Sequence, residues 1–137
     1  MKKIISLLLL SMILVLGAGC GNAEIGDGDK IDVDLTRLSS TMVYSEVNNM
    51  CVEPDKYEGK NVKMVGQFAI YPGTERDYYA CVIADATACC QQGIEFVLKE
   101  GEYPEEGSII AVTGRFETYM EGNQKYIQLS DATWNKP

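Results

Sequence analysis

Residues 79–96 read YACVIADATACCQQGIEF. Tyr79, Cys81 and Ile83 fall on one side of an alternating run, the period-2 pattern of a strand. A small, polar connection follows from Asp85 to Gly93, and Ile94, Phe96 and Leu98 form a second alternating run after the glycine. The stretch therefore reads as a strand, a thiol-bearing connection and another strand. It holds three of the chain's five cysteines, with Cys89 and Cys90 adjacent, and this makes the connection the candidate site.

The same alternation continues on both sides. Toward the N-terminus Val62, Met64, Phe68 and Ile70 share one face and Lys63 and Gln67 the other. Gly66 lies inside that run, the mark of a bulge or sharp bend in a long strand. Ahead of it, Val43, Val47, Met50 and Cys51 recur at helical spacing after Ser39 or Ser40 as N-cap, and Pro54 ends the pattern. This predicts a short amphipathic helix with Cys51 on its buried face. Toward the C-terminus residues 99–107 are polar. Ile110, Val112, Gly114 and Phe116 then form a fourth strand, Glu121-Gly122-Asn123 a hairpin turn, and residues 126–129 a fifth strand. The expected fold is mainly β: a small, closed or partly closed five-stranded barrel with a short N-terminal helix.

Residues 1–20 have the form of a bacterial export signal, with Lys2 and Lys3, an apolar run over 4–16 and then Gly17-Ala18-Gly19-Cys20. The run is shorter than the ~20 apolar residues of a spanning helix. Small residues before a cysteine are similar to the lipobox of bacterial lipoproteins, here with Gly17 where a branched residue is usual. That resemblance implies that Cys20 is lipidated and becomes the new N-terminus, holding the chain by an acyl anchor on the extracytoplasmic face of the cell membrane. Residues 21–38 read as a flexible tether and 39–134 as the one domain that the remaining length can build.

The chain carries 20 acidic and 12 basic residues and no histidine, a formal net charge of −8. With no basic patch to neutralise phosphates, the balance argues against nucleic acid as a partner, and none is expected. The missing histidine excludes Ser-His and Cys-His nucleophiles and every His-ligated metal site. No carboxylate pair suited to hydrolysis stands out, so the chain reads as a binding module and not an enzyme.

Two segments carry a further resemblance. PDKYEGKNVKMVGQF, residues 54–68, resembles the first-strand entry of bacterial OB-fold domains. The Asp-Ala-x-Ala-Cys-Cys-x-x-Gly-Ile-Glu-Phe block at 85–96 resembles a family of uncharacterised, mostly Firmicute, lipoproteins with an OB-like domain. Vicinal cysteines near an Ala-Asp dipeptide are also similar to the extracytoplasmic OB-like domain of permease-associated bacterial membrane proteins, where the two elements come in the other order. The resemblance covers residues 44–133. Residues 99–107 leave no room for the helix usual between the third and fourth OB strands, so the N-terminal helix is expected to plug the barrel end.

Apart from Cys20, four cysteines remain, and they admit three disulfide pairings that would each staple a small exported domain. The competing reading is a thiolate site built from Cys81, Cys89 and Cys90, with Cys51 reaching in from the helix, for zinc or monovalent copper. Asp85 is an oxygen ligand or a turn-fixing acceptor in that reading, and Gly93 ends the turn. Redox catalysis needs a depressed thiol pKa, which acidic neighbours oppose. Tyr71, Tyr78, Tyr79, Tyr119 and Tyr126 read either as a stacking platform or as half-buried packing. The functional expectation is a membrane-anchored binding lipoprotein with a cysteine-lined site. The alternative is a structural or protein-interaction module whose cysteines are paired or buried.

Overall fold

Gly66 stands where a long strand changes partners. A computed structural model of the chain describes residues 30–137. In it, strand β2 (Asn61–Pro72) pairs antiparallel through residues 61–67 with β5 (Ile109–Glu121), and through residues 67–72 with β3 (Asp77–Ala84). A Cβ at Gly66 would lie 2.5 Å from the Val82 carbonyl oxygen and 2.8 Å from the Cys81 sulfur. Only a residue without a side chain lets β3 come so close at the changeover.

The fold is mainly β, a six-stranded mixed sheet with one short helix. Its order is β1 (Val33–Asp34), β2, β3, β4 (Gln91–Leu98), β6 (Gln124–Asn135) and β5, and an additional pairing joins β5 to β2. Neighbours run antiparallel except at β1–β2 and β4–β6, which are parallel. Alternation sends Val62, Met64, Phe68, Ile94, Phe96, Ile110, Val112, Phe116 and Leu129 into one core. Helix α1 (Ser40–Val52) lies against β3 and β4 and adds Val47 and Met50, both fully buried. Among the described residues no helix is long and apolar enough to cross a membrane.

Three expectations need correction here. The segment expected to be tether ends in structure, because Val33–Asp34 pairs with β2, the Asp34 carboxylate accepts from Thr36 N at 3.1 Å, and Leu35 is buried in the core. A single buried leucine in a polar stretch has no period to betray it. β6 runs well beyond residue 129, through a bulge opposite Gly114, with Asp131 at φ +48° and Ala132 buried. Cys51 is exposed and not on the buried face. The helix buries only the narrow line of Val47 and Met50, and Cys51 lies one residue, about 100°, round from Met50.

This geometry makes Gly66→Ala an overpacking change, expected to cost ~1–3 kcal/mol, and Phe68→Ala a cavity-forming one at ~3–5 kcal/mol. Lys63→Ala, on the other face of the same strand, should stay within ~0.5 kcal/mol. Urea midpoints check this, and a Gly66→Ala loss no larger than that of Lys63→Ala would contradict the close approach.

Candidate metal centre

The β3–β4 hairpin is closed by two backbone bonds, Ala88 N donating to Asp85 O and Asp85 N donating to Cys90 O, each 3.0 Å. Ala88 takes φ +56°, a left-handed conformation that turns the chain tightly enough to face Cys89 back toward Asp85. The Asp85 carboxylate then organises the turn. Its Oδ1 accepts from Cys89 N at 2.9 Å, and its Oδ2 from Thr87 Oγ1 at 3.0 Å and Cys89 Sγ at 3.2 Å. Thr87 Oγ1 lies 3.2 Å from Cys89 Sγ, and the two vicinal sulfurs are 3.5 Å apart and unbonded. One ligand atom each from Asp85, Cys89 and Cys90 lies within 4.8 Å of the others, and both cysteines are exposed.

The electrostatics of the turn centre on the Asp85 carboxylate. The thiol of Cys89, followed by the Thr87 hydroxyl, holds the Asp85 carboxyl below its ordinary pKa. The hydrogen bond with Cys89, then desolvation and the Asp85 charge, hold Cys90 above its own. Tyr44 of α1 is held above its ordinary pKa by desolvation first and then by the charges at Cys90 and Asp85. Among the described residues no basic side chain pairs with Asp85. Two sulfurs with one carboxylate oxygen are a donor set that could hold zinc with one position left open, or monovalent copper through the sulfurs.

The other expected ligands lie elsewhere. Cys81 is fully buried on the core face of β3, opposite Phe68 and Ile94, and burial pushes its thiol up to about 12. The alternation that marks β3 as a strand is what takes Cys81 away from the turn. Cys51 is outside the cluster too, at the exposed end of α1, and no disulfide links the described cysteines. Gly93 does not end the turn but lies within β4, opposite Val82. Gln91 and Gln92 have already entered the strand, and Gln92 Nε2 is held by Asn48 Oδ1 of α1 at 3.1 Å. Cys20 lies outside the described residues. Thr87 and Tyr44 were not singled out from sequence. The Asp-x-Thr spacing signals Thr87, since such pairs close turns, whereas nothing local signals Tyr44.

In the native reduced protein a thiol reagent should modify Cys51, Cys89 and Cys90 and leave Cys81 intact until the chain is unfolded. Mass mapping of the labelled peptides checks this, and labelling of Cys81 at the rate of Cys89 would contradict its place in the core.

Comparison of the chain with protein-family models, curated proteins and solved structures gives no match.

Proposed function

We propose that the chain is a membrane-anchored, extracytoplasmic binding lipoprotein, not an enzyme, that holds one soft metal ion, zinc or monovalent copper, on the β3–β4 hairpin. The observation that carries this reading is the convergence of the Asp85, Cys89 and Cys90 ligand atoms within 4.8 Å on an exposed turn. Two thiolates supply the soft donors and Asp85 the hard one. Because three protein ligands leave a zinc coordination position open, the ion can be exchanged with another molecule at the membrane surface. Cys20 is the acylated residue in this proposal, in keeping with the small residues before it.

The additional pairing of β5 with β2 supports an OB-like reading of the fold, in which β2 to β6 form a five-stranded barrel and α1 covers one end. β1 is then an addition to the barrel. That reading agrees with the resemblance carried by residues 54–68 and 85–96. The second reading, a structural or protein-interaction module with buried cysteines, is supported by Cys81 but leaves the exposed vicinal pair without a role.

Reduced full-length protein should take up zinc or monovalent copper one-to-one. Cys89→Ser/Cys90→Ser should abolish uptake, and Cys51→Ser should not change it. The metal must displace the proton that Cys90 holds more tightly than usual, so affinity should fall as the pH is lowered. Calorimetry with each metal checks this, and equal uptake by the double variant would contradict it. Labelled fatty acid should enter the wild-type chain and not Cys20→Ala. Equal release of both forms into the medium would remove the anchor from the account.

A further inference from the structure

Where β2 leaves β5 for β3, the strands part around a cleft of about 410 Å³, within the ~300–1,000 Å³ range of small-molecule sites. Val43 of α1, Val65, Val82, Ile83 and Ile109 line it, with Gly66 among them. Its polar side chains are one serine and two glutamines, and among the described residues no charged side chain lines it. Ile109 is 54% exposed, so part of this apolar surface is open to solvent.

The cleft adjoins the thiol turn. Ala84 and Gln91, both in its lining, are the last residues paired between β3 and β4. The next residues on the two strands are Asp85 and Cys90, one strand step of ~3.3 Å further on. Asp85 N donates to Cys90 O there at 3.0 Å. Two exposed sulfurs 3.5 Å apart therefore stand beside the end of an uncharged, apolar cleft.

That juxtaposition narrows the occupant. A bare metal ion uses the sulfurs and leaves the cleft without a role. An alkylating carbon or a linear organomercury brings an apolar group but takes one thiol, leaving the second idle. Trivalent arsenic forms three bonds in a pyramid, so one organic group and two vicinal sulfurs complete it. It asks nothing of Cys81 in the core or of Cys51 outside the cluster. We infer that the vicinal pair and the adjoining cleft form a capture site for trivalent organoarsenicals, with arsenic across Cys89 and Cys90 and the organic group in the cleft. The hydrated arsenical carries two hydroxyls. Each As–O bond breaks as an As–S bond forms, each thiol proton leaves on that hydroxyl as water, and arsenic stays trivalent throughout. The inference rests on the vicinal pair of the metal reading but not on metal binding.

The test titrates reduced full-length protein with phenylarsine oxide and with inorganic arsenite, each in competition with dithiothreitol, and maps the adducts by mass spectrometry. One phenylarsenic group should be held per chain, on the peptide that carries Cys89 and Cys90. The preference for phenylarsine oxide over arsenite should exceed that of dithiothreitol about ten-fold, the excess coming from the cleft. Cys89→Ser and Cys90→Ser should each weaken capture about a hundred-fold, since one sulfur then replaces a chelate. Ile109→Ser and Val43→Ser should remove most of the excess and leave arsenite binding near wild type; the exposed Ile109 position should also keep the urea midpoint. A preference no larger than that of dithiothreitol would overturn the inference, as would an excess kept by both serine variants of the cleft or an adduct on Cys51. Selective capture without zinc uptake would uphold the inference and remove the metal reading, and zinc uptake without the excess preference would do the reverse.

Discussion

The approach of β3 to Gly66 is the constraint on which the rest depends. Where β2 leaves β5 for β3, the Val82 carbonyl and the Cys81 sulfur occupy the space a side chain would need. That contact lets one strand serve two partners, and Phe68, Phe96 and Phe116 meet in one core. It also takes Cys81 out of chemistry. A sulfur packed against a glycine backbone in the core, with its pKa pushed up to about 12, is a small apolar filler and not a ligand.

From that frame follow two surfaces with different chemistry. The end of the β3–β4 hairpin is a tight turn whose amide, hydroxyl and thiol donors all point at one carboxylate. Next to it, the changeover at Gly66 leaves an apolar cleft lined by Val43, Val82 and Ile109. The Ala84–Gln91 pair links the two: it lines the cleft and is the last pair of β3 and β4 before the turn. The helix takes part on one side only, with Val47 and Met50 in the core, Asn48 holding Gln92, and Tyr44 subject to the charges of the turn.

The strands were readable because each core residue is repeated at period two, and the helix because Val43, Val47 and Met50 recur over about two turns. What escaped lacks a period. Leu35 is one apolar residue in a polar stretch, and Tyr103 one aromatic in an acidic loop, yet Leu35 joins the core and Tyr103 packs against it, half-buried and stacked on Tyr79. Gln92 makes the start of β4 look like loop because its neighbour is a helix amide and not an apolar side chain. The candidate site was half readable. Adjacency brings Cys89 and Cys90 together and the turn adds Asp85, but Cys81 and Cys51 could be excluded only by the packing around them.

The division of the cysteines into one core residue and one vicinal pair is the central claim, and X-ray absorption on the zinc-loaded, reduced protein tests it most directly. The account predicts a first shell of two sulfurs at ~2.3 Å, completed by oxygen or nitrogen. Three or four sulfurs would contradict it, because the additional ligands would have to come from Cys81 in the core or Cys51 at the end of the helix.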